Sequence, residues 1–173
     1  MKFLLRFCAT VLLTVFLLVV VGCQNDKVIK AKDENIETME AVLQHTFNGP
    51  TEEYLEEIEK EDDFASFNKY LEGLYEADFA DRNAYEEFVN YYGATLMNEA
   101  LRHDYTLTIT NIDYEQTSSD EIIYNFSLEL QYQKNGANES EQGTVTGQAN
   151  LNADHKIEDM VLQLGDFWSK LGE

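Results

Sequence analysis

A chain of 173 residues carries 12 Lys and Arg against 33 Asp and Glu, a formal charge of −21. That balance excludes nucleic acid as a partner, because phosphate binding needs positive charge. Its cysteines are Cys8 and Cys23, so the region beyond residue 23 has no disulfide to lean on and must fold on its core alone.

The first segment is an address. Lys2 and Arg6 stand in a start without acids, and Phe7 to Val21 is apolar except for Thr10 and Thr14. The run ends in Val20-Val21-Gly22-Cys23 and turns polar at Gln24. A basic start, an apolar centre and a small residue before a cut site make a secretory signal peptide. The alternative is an uncleaved membrane anchor, since a span needs about 20 apolar residues and the run is nearly that long.

Val20-Val21-Gly22-Cys23 resembles the lipobox of bacterial lipoproteins, with Val and Val in place of the usual Leu and Ala or Ser. The resemblance implies cleavage between Gly22 and Cys23, diacylglyceryl transfer to the Cys23 sulfur, and a cell-membrane, extracytoplasmic location. Two acyl chains hold stably where one does so only marginally. The expected organisation is a signal peptide over residues 1–22, a lipidated Cys23 with a flexible tether to residue 33, and a single domain over 34–173. Loss of Lys2 and Arg6 with the leader leaves 10 basic against 33 acidic residues, or −23. Anionic headgroups repel such a surface, so the lipid on Cys23, rather than charge, is the expected membrane partner. The acidic excess itself keeps a protein soluble; attraction to cationic partners would be unspecific.

Beyond the tether, Ile36, Met39, Val42 and Leu43 recur at helical spacing over Glu34 to His45. Asn48-Gly49-Pro50 ends that helix. A second is predicted over Thr51 to Glu61, with Tyr54, Leu55 and Ile58 on one face and Glu52, Glu53, Glu56, Glu57 and Glu59 on the other. After Asp62-Asp63, the stripe Phe64, Phe67, Leu71, Leu74 predicts a third helix. The fourth and longest is expected over Ala84 to Leu101, with Asn83 as N-cap, Glu86 completing a capping box, and Tyr85, Phe88, Val89, Tyr92, Leu96 and Ala100 buried.

At Asp104 the period changes to two. Tyr105, Leu107 and Ile109 alternate with threonines; the phase then slips to Ile112 and Tyr114, which predicts a β-bulge near Thr110-Asn111. Ile122 to Tyr132 alternates without fault. A loop is expected over Lys134 to Gln142, a weaker strand over Thr144 to Asn152, a tight turn over Asn152 to His155, and a last strand over Lys156 to Gly165 that slips phase again after Ile157. A terminal helix from Asp166 is expected to dock Phe167, Trp168 and Leu171. Helices first and a meander of long strands afterwards read as α+β, with helices on one face of a curved antiparallel sheet.

This order, with the hairpin Gly147-Gln148-Ala149-Asn150-Leu151-Asn152-Ala153-Asp154-His155-Lys156-Ile157, resembles the nuclear-transport-factor-two-like cone family. The family hosts enzymes, binding modules and interaction domains, so fold does not decide function. The resemblance implies that copies can pair through the open sheet face as a homodimer.

The residues themselves point to no reaction. His45, His103 and His155 are scattered, without metal-ligand spacing. Asp104 beside Tyr105, or Asp113 beside Tyr114, could imitate the cavity acid of cone-fold isomerases and dehydratases, but strand neighbours point to opposite faces, so only one of each pair can enter a cavity. Glu53, Glu56 and Glu57 share a helical face but lack a calcium loop. Tyr70, Tyr75, Tyr85, Tyr91, Tyr92, Tyr124 and Tyr132 are read chiefly as core, and alternatively as the lining of a pocket. The expectation is a non-catalytic, membrane-anchored domain that binds a small ligand, a peptide or an envelope protein through its concave face, with no cofactor, metal or catalytic residue assigned. A cone-fold enzyme with a cavity acid is the alternative.

Overall fold

Asp33 opens the first helix of the domain. Its backbone is extended, and its Oδ1 accepts from the Asn35 N–H at 3.0 Å, which satisfies one of the amides that a helix start leaves unpaired. The computed structural model describes residues 33–60 and 64–171. The leader, Gly22, Cys23, the tether up to residue 32 and the Asp62-Asp63 break lie outside them.

Helix α1, Glu34–Phe47, buries Met39, Val42, Leu43 and Phe47, the expected stripe extended by one turn. Thr51 caps α2, Glu52–Ile58, through a 3.2 Å bond from the Tyr54 N–H. Helix α3, Phe64–Tyr75, continues into a 3₁₀ turn at Glu76–Asp78. Its buried residues are Leu71 and Tyr75. Phe64 does not join the expected stripe: it is 82% exposed, because it sits in the first turn, before α3 meets Tyr54 of α2 through Phe67.

The long helix begins earlier than expected and is not uniform. Asp81, rather than Asn83, is the N-cap of α4, Arg82–Phe88, and its Oδ1 accepts from the Ala84 N–H at 3.0 Å. Asp-Arg-Asn offers two candidate caps, and Asp81 is the one with the extended backbone a cap requires. Glu86 therefore closes no capping box; it accepts from Arg82 at 2.7 Å, and Arg82 also reaches Glu72 of α3 at 2.8 Å. The helix then widens into a π-helical segment at Val89–Gly93 before α5, Ala94–Arg102. The extra residue per turn carries the burial from Phe88 and Val89 to Gly93, then to Leu96, Met97 and Ala100, and leaves Tyr92 only partly covered.

Strands β1 (Tyr105–Gln116), β2 (Ile122–Lys134), β3 (Glu141–Leu151) and β4 (Ile157–Gln163) form one antiparallel sheet in chain order. The predicted bulge falls at Thr110: Ile109 pairs with Leu130 and Asn111 with Glu129, so Thr110 has no partner in the ladder. The second phase slip is also a bulge. Asn150 pairs with Asp159 and Leu151 with Ile157, leaving Glu158 extra. Strand β3 starts earlier than predicted because its ladder with β2 runs on to Tyr132 and Glu141. Bulges bend strands, and the helices pack on one face of this bent sheet, an α+β fold of the cone-like kind.

The inner face is filled by the chain itself. Tyr124, Phe126, Leu128, Leu130 and Tyr132 of β2 are all buried, and they pack with Val42, Leu43, Phe47, Leu96 and Ala100 of the helices in one core. Each of the Val, Leu and Phe side chains among them stabilises the fold by about 1.5–3 kcal/mol relative to exposure. Helix α6, Gly165–Leu171, closes one end with Phe167 and Leu171. Trp168, expected to dock with them, is 39% exposed, since Phe167 and Leu171 at i and i+4 already occupy the buried face of this short helix.

Gly147 is a point of close approach. A β-carbon there would lie 2.3 Å from the Phe126 ring and 2.5 Å from the Val161 carbonyl oxygen. The ring could swing away, but the carbonyl belongs to β4. Gly147→Ala is therefore expected to destabilise the domain by about 1–3 kcal/mol, the usual range for overpacking. Urea unfolding of the variant checks this; an unchanged midpoint would mean the strands part freely at this position.

Candidate functional site

The space the concave face lacks is found within the helical layer. A pocket of about 350 Å³ opens between α1, α2, α3 and the π segment, a volume within the range of small-molecule sites.

Its walls follow from local spacing. The end of α1 supplies Gln44 and His45, and its C-cap supplies Asn48, one turn on from Gln44 at i,i+4. The cap and first turn of α2 supply Thr51, Glu53 and Tyr54. Helix α3 contributes two i,i+4 pairs, Tyr70 with Leu74 and Leu71 with Tyr75. Gly93 and Met97 complete the lining from the π segment and α5.

The aromatic rings hold one another. Tyr54 meets Phe67 edge-on at 5.7 Å and Tyr70 at 6.2 Å between centroids, and His45 meets Tyr75 edge-on at 5.9 Å. Such pairs add about 0.5–1.5 kcal/mol beyond burial. The hydroxyls are anchored too. Tyr54 Oη donates to Asn98 Oδ1 at 2.8 Å, and Tyr75 Oη lies 3.5 Å from Thr46 Oγ1. Burial pushes the Tyr54, Tyr70 and Tyr75 phenols above their ordinary value, the Thr51 and Thr46 hydroxyls partly opposing this at Tyr70 and Tyr75. The site is a ring-lined cleft with hydroxyl, imidazole and amide groups and one carboxylate, Glu53, in its walls. That set can stack on a flat ring and hydrogen-bond its substituents.

The mouth is pinned to the sheet. Gly49 and Leu107 exchange two backbone hydrogen bonds, at 3.1 and 2.7 Å, and the Ile109 N–H donates to Asn48 Oδ1 at 2.7 Å. Asn48 Nδ2 in turn donates to Gln44 Oε1.

The residues weighed from sequence separate accordingly. Tyr70 and Tyr75 line the pocket. Tyr85 packs on Phe79, Tyr124 donates to Asp33 at 2.6 Å, and Tyr132 donates to Glu141 at 3.1 Å, so these serve the core. Tyr91 is exposed and Tyr92 packs on Phe88. In both Asp-Tyr pairs the tyrosine is the more buried member and the acid is exposed, Asp113 by alternation along β1 and Asp104 as a left-handed turn residue just before it. Asp104 is exposed and accepts from Asn135 at 2.9 Å; Asp113 is exposed and accepts from Asn111 at 3.1 Å. Neither supplies a cavity acid. The carboxyl of Asp78 is held above its usual range by burial, against the pull of Lys156 and His45, but it lies on the 3₁₀ turn and does not line the pocket. His103 lies 3.6 Å from Glu99, and His155 joins Glu34 at 3.0 Å and Asn35 at 2.9 Å. Glu57 of the acidic helix is held below the usual carboxylate range by Lys60 and Ser66. Sequence reasoning missed His45, Asn48, Thr51 and Tyr54 as pocket residues; the adjacent i,i+4 pairs of α3 were the available signal.

No family model matches the chain, and no curated protein does. Among solved structures, the chain is similar to the solution structure of TraH, a candidate transfer protein of the Gram-positive conjugative plasmid pIP501. The identity is 14% and the TM-score 0.47, over 78% of this chain and 96% of that one.

The pocket phenols give a pH signature. The unfolded chain releases tyrosine protons near pH 10, whereas the folded chain retains those of Tyr54 and Tyr75 to higher pH. Above about pH 10 the unfolded state binds fewer protons than the native one, so stability falls as pH rises. Urea midpoints at pH 9 and 11 should show the drop, and Tyr54→Phe should reduce it. An identical drop in that variant would assign the effect to other tyrosines.

Proposed function

We propose that this chain is a membrane-tethered, non-catalytic binding module on the extracytoplasmic face, and that its ligand is a small amphipathic ring compound held in the helical pocket. The observation that carries the binding part is the pocket itself: a cleft of small-molecule size whose tyrosines are fixed by neighbouring rings and by Asn98. The filled inner face speaks against a ligand between helices and sheet, and the outward placement of Asp104 and Asp113 speaks against the dehydratase-like alternative. The tether rests on the Val20-Val21-Gly22-Cys23 pattern.

The two parts are tested apart. A set of hydroxylated aromatic fragments, titrated to millimolar concentration and followed by protein-observed NMR, should shift Tyr70, Leu74 and Met97 together. Shifts scattered over the surface, or none, would remove the pocket reading.

For the anchor, wild-type protein should fractionate with membranes at a mass reduced by residues 1–22, and Cys23→Ser should abolish that processing. A variant still membrane-bound at wild-type size would remove the lipid reading.

A further inference from the structure

The outer face of the sheet and the π segment of the long helix share a feature that the helical pocket does not absorb. A groove of about 590 Å³ lies on the outer sheet face, and a second depression of about 200 Å³ lies between β4 and the π segment. Both are lined by Val161, which is 45% exposed. The two hollows therefore share Val161 as a common wall, and together they flank β4 as one path past it.

The chemistry along this path is of one kind. Asp113 and Glu115 border it on the sheet, and Glu87, Glu158 and Asp159 border it beside the helix. The lining of both parts holds no Lys, Arg or His, and none of the five carboxylates has an ion-pair partner among the described residues. Between them stand the side-chain amides of Asn125, Gln148 and Gln163. Two of these amides are already oriented, Gln148 Nε2 donating to Asn125 Oδ1 at 2.8 Å.

At the far end, the π segment turns the Tyr91 ring outward to 67% exposure beside Tyr92, 6.2 Å away. Tyr91 lies within this π segment, and π-bulges of this kind recur at functional sites. An exposed phenol ring beside unpaired carboxylates is a receptor for an ammonium or guanidinium group: the ring face attracts the cation and the carboxylates neutralise it. Flat amides spaced along a sheet suit an extended backbone.

We infer that this path is the docking site for an extended, lysine- or arginine-rich segment of a partner protein, with one cationic side chain seated on Tyr91. Overall acidity draws cations to the whole surface; the path adds a shaped place for them. The inference is independent of the helical pocket.

The test uses the full-length protein in a non-ionic detergent and octalysine as probe, by calorimetric titration at low salt. Binding is expected to shift the side-chain amides of Asn125, Gln148 and Gln163 in NMR spectra. Replacing Glu87, Glu158 and Asp159 by Gln, Gln and Asn should weaken it roughly tenfold, given the modest strength of each surface pair, and Tyr91→Leu should weaken it about threefold. With both triple variants compared at about 0.15 M salt, where the Debye length is about 8 Å, the same charge change on α2 and its C-cap, with Glu52, Glu56 and Glu59 each replaced by Gln, should leave affinity within about twofold, because none of the three lines the path. Equal losses from the two triple variants would overturn the proposal and reduce it to a net-charge effect. Absence of octalysine binding at low salt would overturn it outright.

Discussion

The helical layer is joined to the sheet where the chain leaving α1 becomes a short extra rung on β1. Gly49 exchanges backbone hydrogen bonds with Leu107, and the Asn48 side chain takes the next free amide, that of Ile109. An edge strand presents unpaired backbone groups that must be covered or blunted, and here the covering segment comes from the helices. There is little room for anything larger than glycine at residue 49, since a β-carbon would meet the Thr51 nitrogen at 2.9 Å and Met97 at 3.0 Å. The pocket mouth depends on this seam. Asn48 and Thr51 stand on either side of it, and Met97 packs beneath it.

The two faces of the sheet carry different duties. Inward, alternation places Tyr124, Phe126, Leu128, Leu130 and Tyr132 against the helices, and close packing leaves that side to stability. Outward, the same strands present Asn125, Ser127, Thr146 and Gln148, uncharged hydrogen-bonding groups on a broad surface. In this chain the room lies between helices, where tyrosines line the gap and are held by neighbouring rings and by Asn98.

Charge is distributed with the same logic. Arg82 gathers Glu72, Glu76 and Glu86 and ties α3 to α4, Lys60 just past the end of α2 pairs back to Glu57, and Arg102 pairs with Glu99 on its own helix. Exposed pairs of this kind contribute little each. With so few basic residues, most carboxylates are left to solvent, and their mutual repulsion is a cost the core must offset. The surplus becomes informative only where shape and an exposed ring accompany it, as around Tyr91.

What the sequence determined by itself was whatever depends on short-range periodicity. The stripe of α1, the faultless alternation of β2, the bulge at Thr110 and the phase slip after Ile157 are all legible, because burial on one face imposes a period of 3.6 or 2 and any break in it leaves a mark. That Asp113 and Tyr114 must face opposite ways is legible for the same reason, although which of the two turns inward is not. Other features were decided only by tertiary structure. Asp81 was chosen over Asn83 as a cap by backbone conformation, Phe64 and Trp168 were left exposed outside the faces their helices bury, and the π segment arose inside a run that reads as ordinary helix. The pocket belongs to this second group. Its walls come from four segments between Gln44 and Met97, and no local pattern states that Tyr54 of one helix will stand against Tyr70 of the next. Periodicity tells each element which face to bury, whereas a cavity is the place where buried faces fail to meet, and that exists only once the elements are packed.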